Sequence, residues 1–441
     1  MQVYRGLPDL GATPGCELCI GNFDGVHRGH LALIGRAVAA ARATGRWAGV
    51  LTFDPHPLRV LRPEAPFFAL TTLEERLILL EAAGVDAVIV YPFTAQAAQR
   101  GAADFMRELT ARLGLRRLWV GPDFALGRRR EGDVPTLRRL GSDFGFEVAT
   151  LEPIAVDGVE VRSGAIRAAL AEGRVDQAAR LLGRPYALTG TVISGFGRGR
   201  AIGLPTVNLP LPAERVIPAN GVYAAWCWVE GQRLPAATNI GVRPTFAGGM
   251  ASIEAHILGF EGDLYGAPLR LEFVLRLRPE HRFPSVDVLI AQVRRDVANT
   301  RRALAPGAPR FEEVEHAADW RMRVWGDDWA DLLAQAGAAM FALQGAALAR
   351  EPERWREVVV EAPDREALLV MWLSELLYLS ETRNESYTRF VIDEANDETL
   401  AARVGAVAGR GEKAHIKAVT YHGLRVEEMP KGWTATVLFD T

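Results

Sequence analysis

The chain has 441 residues, of which 49% are hydrophobic and 24% charged, and its formal net charge is −3. These values exclude a disordered or collagen-like chain and predict roughly two to four domains. Three cysteines, no signal-peptide pattern and no run of about 18 apolar residues lead us to expect a cytoplasmic chain without a membrane span.

The first part of the chain alternates short apolar runs with amphipathic stretches. The apolar runs predict buried strands at Leu18–Gly21, Trp47–Phe53, Ala87–Tyr91 and Leu118–Gly121. Helical periodicity predicts helices at Leu31–Ala43, Leu73–Ala83, Ala103–Leu113 and Val134–Phe144, and a helical connector at Ile166–Leu182. This order predicts a Rossmann-like parallel sheet with helices on both faces, in which ligands bind beyond the carboxyl ends of the strands.

The pattern of apolar and polar residues changes twice further along the chain. Glycine and proline residues that separate short strand patterns favour a small antiparallel β-barrel. Its predicted strands are Ala187–Ile193, Gly221–Val229, Ser252–Leu258 and Leu269–Leu277. A helix is predicted at Val286–Arg302. The last region predicts an α+β fold with helices at Trp329–Leu348 and Asp364–Ser380 and strands at Glu357–Glu361, Ile416–His422, Leu424–Glu428 and Trp433–Phe439.

Charge and lysine usage support the same division. Residues 311–441 carry 24 Asp and Glu against 14 Lys and Arg, net −10, which leaves 30 against 37, net +7, for residues 1–310. We therefore predict domains at 1–185, 186–308 and 309–441, the last beginning after the proline-rich segment Ala303–Arg310. Because the three lysines are Lys413, Lys417 and Lys431, chemistry before residue 413 cannot use a P-loop lysine or a Schiff base.

The first candidate site is the segment Gly21–His30, which follows a predicted strand and opens a helix. His27 and His30 share a face of the first turn, where free N–H groups and the helix dipole favour phosphate. Two imidazoles there can donate hydrogen bonds to phosphoryl oxygens, and Gly29 permits close approach. A histidine-capped surface helix or a zinc pair is the alternative interpretation.

This segment resembles the H-x-G-H nucleotidyltransferases and, more narrowly, the adenylyltransferase module of bacterial bifunctional riboflavin kinase/FAD synthetases. The resemblance includes Leu51–Pro57, Val120–Arg128 and Gly132-Asp133. It implies that His27 and His30 are catalytic and that Phe53, Asp54 and Pro55 bind flavin. The nucleotide-binding residues that it implies here are Asn22, Asp24, Gly29, Asp123, Ser163 and Arg167. Where the family has Ser-Ser-Thr before Ile-Arg, this chain has Arg162-Ser-Gly164, which removes two hydroxyls.

The second candidate site begins with the glycine-rich segment Gly195–Gly203, a weak signal by itself. Thr206 and Asn208 lie two residues apart, so their oxygens can both reach Mg²⁺. Glu254, on a predicted neighbouring strand, can take the proton from an attacking alcohol, although a solvent-facing strand residue is the alternative.

The segment from about Gly190 to Leu304 resembles the riboflavin kinase module, with Asn220–Tyr223, Phe260–Gly266 and Arg278–Phe283 also matching. The resemblance implies that Gly197 and Gly199 cover ATP, that Thr206 and Asn208 bind Mg²⁺ and nucleotide, and that Glu254 is the catalytic base. Val207 stands where the family usually has alanine.

The third region resembles archease, a small protein that assists the RNA-splicing ligase joining tRNA exon halves. The segments that match include Phe311–Asp319, Val324–Asp327 and Leu368–Ser374. The resemblance implies a Ca²⁺ or Mg²⁺ site at Asp319 and Asp440, completed in our hypothesis by the Thr441 carboxylate, and an activating role for Lys417. A pair of surface aspartates is the alternative. The acidic charge favours a basic protein partner, the ligase, over direct nucleic-acid binding.

The resemblances together predict a multifunctional enzyme that converts riboflavin to FMN and FMN to FAD with ATP and Mg²⁺, fused to a non-enzymatic archease domain. Two alternatives stay open. The adenylyltransferase module could act on another small substrate, or the changed 161–167 motif could leave a kinase-only or flavin-binding protein that carries the accessory domain.

Overall fold

The computed structural model describes residues 1–11, 14–194, 204–242, 251–314 and 320–441, without the side chains of residues 242 and 251. These residues form two compact units. The first comprises Met1–Glu172, Leu181–Arg184 and Pro212–Pro218, and the second comprises Gly173–Arg180, Pro185–Leu211 and Ala219–Thr441. The domain boundaries at 185/186 and 308/309 stay predictions.

The first unit is built on a parallel sheet. Its strands are β1 (Gln2–Arg5), β2 (Cys16–Ile20), β3 (Trp47–Asp54), β4 (Ala87–Pro92), β5 (Leu115–Val120), β6 (Ala125–Leu126), β7 (Gly132–Asp133), β8 (Glu147–Thr150), β9 (Ala155–Val156) and β10 (Val159–Glu160). The parallel sheet has the order β1-β4-β3-β2-β5-β8, and the short strands form two antiparallel pairs, β6 with β7 and β9 with β10.

Helices cover both faces of this sheet, as predicted. The helices of this unit are α1 (Arg28–Thr44), α2 (Pro57–Leu61), α3 (Leu73–Ala82), α4 (Ala95–Ala98), α5 (Ala102–Leu113), α6 (Val134–Phe144) and α7 (Ser163–Ala171). Apolar side chains of α1 and α3 pack with Cys19 of β2, and those of α5 and α6 pack with Cys16 on the opposite face. Both cysteines are therefore buried core residues. Since the strand order reverses at β2, the carboxyl ends of β2, β3 and β5 form the expected ligand crevice.

The second unit begins with a curled antiparallel sheet. Its strands are β11 (Tyr186–Thr191), β12 (Val207–Pro210), β13 (Gly221–Val229), β14 (Gln232–Val242), β15 (Ala251–Ile257) and β16 (Pro268–Arg278). Their order is β11-β16-β13-β14-β15-β12, and a bridge between Ile193 and Asn208 joins the two edges. The predicted barrel is confirmed as a curled, barrel-like sheet. Helices α8 (Val175–Leu182) and α9 (Val286–Leu304) flank it in the chain.

The remainder of the second unit has the predicted α+β architecture. Its strands are β17 (Phe311–Val314), β18 (Trp320–Gly326), β19 (Arg354–Glu361), β20 (Glu385–Ala395), β21 (Thr399–Ala408), β22 (Ala418–Met429) and β23 (Gly432–Asp440), and its helices are α10 (Trp329–Leu343) and α11 (Arg365–Arg383). The sheets β17-β18-β23-β22 and β19-β21-β20 share one apolar core with both helices.

Three sequence predictions need correction. The connector Ile166–Leu182 is two helices, because Gly173 has φ +77° after α7 ends at Ala171. The helix predicted to reach Leu348 ends at Leu343, before Gly345 at φ +85°. The two strands predicted at 416–422 and 424–428 form one strand, β22, whose register with β23 shifts between Thr420 and Arg425.

Several strands were missed, among them β14, β20 and β21. The first eight residues of β20 are all buried, so the alternation of apolar and polar residues that marks a half-exposed strand is absent. Among the described residues, every helix is too short or too polar to cross a membrane.

Candidate functional site

The predicted histidine pair lies at the carboxyl end of β2. His27 is the N-cap of α1, and its Nδ1 accepts a hydrogen bond from the His30 main-chain N–H at 3.3 Å. The two imidazole rings stack with their centroids 3.6 Å apart and their planes at 14°. A Cβ on Gly29 would lie 3.2 Å from the His27 ring and 3.3 Å from the Val161 carbonyl oxygen, so only glycine fits without displacement.

Both imidazoles are neutral at pH 7. Burial lowers the pKa of His27 to about 4, and burial together with the neighbouring His27 holds the pKa of His30 well below its ordinary value. Because Nδ1 of His27 accepts a hydrogen bond, we assign its proton to Nε2. Nδ1 of His30 is buried and has no hydrogen-bond partner among the described residues. The pair can therefore donate neutral hydrogen bonds without carrying charge.

Asp24 holds the turn together from inside. The residue is 2% exposed, and its carboxylate accepts hydrogen bonds from the main-chain N–H groups of Leu70 and Thr71 at 2.9–3.1 Å. It also forms an ion pair with Arg167, whose guanidinium lies 5.1 Å from the centroid of the Phe67 ring. The predicted nucleotide ligands Asp24 and Arg167 are thus partners of each other. Their direct contact with nucleotide stays a prediction.

The N-terminus of α7 meets the same turn. The Ser163 hydroxyl donates to the Asp24 carbonyl oxygen at 2.9 Å. Arg162 is the N-cap of α7 and provides no side-chain cap, and a Cβ on Gly164 would meet nothing within 4 Å. Within the described part of the chain, the changed motif therefore places a helix start without a side-chain cap beside the histidine turn.

Arg76 is a positioning residue that the sequence analysis missed. It is 4% exposed, and its Nη1 donates to the carbonyl oxygens of Asn22 and Phe53 at 3.1 and 3.2 Å and to the Thr52 hydroxyl at 2.8 Å. Arg76 thereby joins the loops that follow β2 and β3. The sequence shows only that Arg76 directly follows the capping residues of α3. It gives no sign that Arg76 contacts the loops after β2 and β3.

A cavity of about 580 Å³ opens beside these loops. Asn22, Phe53 and Asp123, three predicted ligand-binding residues, line it. Two further groups of lining residues were not predicted from the sequence. They are the rest of the aromatic wall, Tyr91, Phe93, Phe105 and Phe124, and three arginines, Arg62, Arg100 and Arg130. Asp54 and Pro55 are not among the lining residues found in the described part of the chain. A largely apolar cavity with three arginines in its lining suits a flat ring that carries an anion.

The second predicted site lies on the curled sheet. Asn208 of β12 pairs with Glu254 of β15, which pairs in turn with Asn239 of β14. Directly opposite residues in antiparallel strands point to the same face, so these three side chains form one polar row. Asn208 is buried, Glu254 is half-buried, and Thr206 lies just before β12. Gly197 and Gly199 lie outside the described residues.

The third predicted site is partly described. Lys417 donates its main-chain N–H to the Asp440 carbonyl oxygen at 2.8 Å, and its Nζ lies 3.0 Å from the Thr441 main-chain oxygen. The structure thus brings three of the predicted residues together at the end of β23. Asp319 lies outside the described residues, and no cluster of three or more acidic, histidine or cysteine side chains suited to a metal occurs within those described.

The parallel α/β sheet with its histidine turn defines the class of nucleotidyltransferases, here followed by a kinase-type barrel. Family models match in the same order: FAD synthetase at residues 11–165, riboflavin kinase at 182–304 and the archease protein family at 311–441.

Curated relatives agree with this order. The bifunctional riboflavin kinase/FMN adenylyltransferase of Pseudomonas fluorescens is 41% identical over 314 residues, which cover 70% of this chain and 100% of the relative. The enzyme of the same name from Escherichia coli (strain K12) is 39% identical over 305 residues, which cover 68% of this chain and 97% of the relative. A crystal structure named Macrolide-efflux Protein, from Streptococcus pneumoniae, has 30% identity and a TM-score of 0.62, covering 68% and 99%. The chain belongs to the bifunctional riboflavin kinase/FMN adenylyltransferase family and carries an archease domain at its C-terminal end.

Proposed function

We propose that the chain phosphorylates riboflavin to FMN and transfers the adenylyl group of ATP to FMN, giving FAD. The observation that carries the proposal is the stacked pair of neutral histidines beside a largely apolar cavity, whose lining includes Phe53, Asp123 and three arginines. The family supports both activities, since the relatives named above carry both in their names.

In the adenylyl transfer, a phosphate oxygen of FMN attacks the α-phosphorus of ATP and pyrophosphate leaves. The aromatic wall would hold the isoalloxazine ring, and the arginines would hold the FMN phosphate. His27 and His30 would donate hydrogen bonds to phosphoryl oxygens as negative charge develops there. Asp24, Ser163, Arg167 and Arg76 support this geometry by fixing the loops.

In the phosphorylation, Glu254 would take the proton from the riboflavin 5′-hydroxyl as its oxygen attacks the γ-phosphorus of ATP and ADP leaves. Thr206 and Asn208 offer the hard oxygen donors that suit Mg²⁺, which would neutralise phosphate charge when bound. The pairing of Asn208 with Glu254 supports this assignment because it puts a metal ligand and the base on one face.

For the archease domain we propose that it stimulates an RNA-splicing ligase and binds Ca²⁺ or Mg²⁺ through Asp319, Asp440 and Thr441, with Lys417 contacting the partner. The contacts of Lys417 with Asp440 and Thr441, and the net charge of −10 of residues 311–441, support this proposal. We propose a cytoplasmic location, which three free, buried cysteines support.

One assay tests the enzymatic proposal. Purified protein is incubated with riboflavin, ATP and Mg²⁺, and FMN and FAD are separated by chromatography over time. Formation of both supports the bifunctional enzyme. FMN without FAD would favour the kinase-only alternative, to which the uncapped α7 and the lost hydroxyls at Arg162 and Gly164 give specific support.

A further inference from the structure

A cavity of about 510 Å³ lies in the second compact unit, where the region matching riboflavin kinase meets the region matching archease. Helix α9 supplies one wall, and α10 and β20 supply the others, with the segment 306–310 between them. Because both regions contribute walls, the cavity depends on the packing of the two regions against each other.

Arg389 of β20 lies in the wall of this cavity, and its buried guanidinium is only partly hydrogen-bonded. The residue is 5% exposed, and its Nη1 donates to the carbonyl oxygens of Leu348 and Thr388 at 2.6 and 2.8 Å. Its Nε is buried without a partner among the described residues, and Glu351, the carboxylate whose charge acts on it, is itself paired with Arg233 at 2.7 Å. Burying a guanidinium without a counter-charge is costly, so an anion in the cavity would stabilise the folded state.

Arg301 faces the same cavity from α9. Its side chain is exposed, and within the described ranges it makes neither a hydrogen bond nor an ion pair. The other two arginines of the cavity are already paired: Arg302 with Asp331 at 3.3 Å and Arg310 with Asp327 at 2.7 Å. The positive charge that is free to bind a ligand therefore belongs to Arg301 and Arg389.

The remaining wall is largely apolar. Phe390, which is 4% exposed, Leu348 and several alanine and proline residues line it. We propose that the cavity binds an organic phosphate, whose phosphate group pairs with Arg301 and Arg389 while its aromatic ring packs against Phe390. A phosphate has three acceptor oxygens and up to two charges, which match two guanidinium groups on different walls better than a single carboxylate does.

The proposal is tested by equilibrium dialysis of the full chain with FMN and, separately, ADP, comparing wild type with Arg301→Glu. Arg295→Glu is the matched control, because Arg295 is exposed on the same helix and does not line the cavity. We expect wild type and Arg295→Glu to bind one equivalent more than Arg301→Glu, or to bind it about tenfold more tightly. If Arg301→Glu loses the additional equivalent of FMN, the ligand is a flavin phosphate. If it loses the additional equivalent of ADP, the ligand is an adenine nucleotide.

Binding of FMN and of ADP by Arg389→Met is measured in the same dialysis experiment. Circular dichroism confirms that this variant is folded. Equal stoichiometry and affinity of wild type and Arg301→Glu for both probes would overturn the proposal, and so would an equal loss in Arg295→Glu, which would indicate unspecific electrostatic attraction. Neither result depends on whether FMN or FAD is formed by the enzyme, so the proposed function is judged separately.

Discussion

The Ser163 hydroxyl donates to the main-chain carbonyl oxygen of Asp24 at 2.9 Å, across 139 positions of sequence. Through this hydrogen bond the start of α7 is fixed against the turn that carries His27 and His30. In the proposed adenylyl transfer, the donors that would face a phosphate come from two distant segments, and we expect their number to depend on residues 162–164.

The space around Gly164 permits a direct test of the changed motif. We expect FMN to accumulate before FAD in the wild-type protein, since fewer hydroxyl donors reach the nucleotide during adenylyl transfer. Gly164→Thr restores one hydroxyl where a Cβ meets nothing within 4 Å, and it should shorten the lag. The measurement is a time course of both flavins. A wild-type course without an FMN lag would contradict the expectation.

His30→Ala should separate the two activities. Loss of one preorganised donor to the phosphoryl oxygens costs about 3 kcal/mol, so FAD formation should fall by on the order of 10²-fold or more. Phosphorylation of riboflavin should be unchanged, because the polar row that includes Glu254 belongs to the other compact unit. If both activities disappear in a folded variant, the assignment of two sites is wrong.

Glu254→Gln keeps the shape of the side chain and removes the base. The turnover of riboflavin should fall by roughly 10²–10⁴-fold while the affinity for ATP changes little. FMN adenylylation in the same preparation is the internal control. Turnover equal to that of the wild type would mean that Glu254 has only a structural role.

The pKa of His27, lowered to about 4 by burial, links stability to pH. Between about pH 4 and 6.5 the unfolded chain binds more protons at this residue than the folded chain, so stability is lost as the pH falls through this range. His27→Asn keeps an N-cap acceptor and removes the titration. Between pH 7 and 5, the free energy of unfolding of His27→Asn should therefore fall by up to about 2 kcal/mol less than that of the wild type.

Thermal unfolding of the full chain, followed by tryptophan fluorescence at both pH values, measures this difference. His281→Asn, at an exposed position of the second unit, is the control and should behave like the wild type. An unchanged pH dependence in His27→Asn would show that His27 is protonated equally in the folded and unfolded states.

The archease domain is tested with Asp440→Ala and Lys417→Ala in the full chain. Asp440→Ala removes a carboxylate from the proposed oxygen shell, so Ca²⁺ binding by calorimetry and stimulation of the cognate RNA ligase should both weaken. Lys417→Ala should spare Ca²⁺ binding and reduce stimulation, because an ammonium group suits a partner carboxylate or phosphate better than a metal. Both flavin activities should be unchanged. Stimulation at the wild-type level by both variants would exclude the proposed role.

Much of the architecture was accessible from the sequence because the local signals agree with the fold. The helices α3 and α6 begin and end within one residue of their predicted bounds, since capping residues mark their starts and periodicity marks their buried faces. The family was recognisable because the histidine turn and the Thr206–Asn208 segment each lie within a short stretch of chain. Strand β20 was missed because burial on both faces leaves no alternating pattern.

Residue order by itself determined where the histidine turn begins, because the strand, the turn and the N-cap histidine are all local to residues 16–30. Only the tertiary structure decided which side chains surround that turn. Arg76, Ser163 and Arg167 reach it from far along the chain, and Asp24 is occupied by Arg167 rather than open to solvent. The same holds for the cavity beside Arg389, whose walls come from segments more than 80 residues apart. Local propensity and periodicity are properties of neighbouring residues, whereas these contacts depend on how buried surfaces pack together.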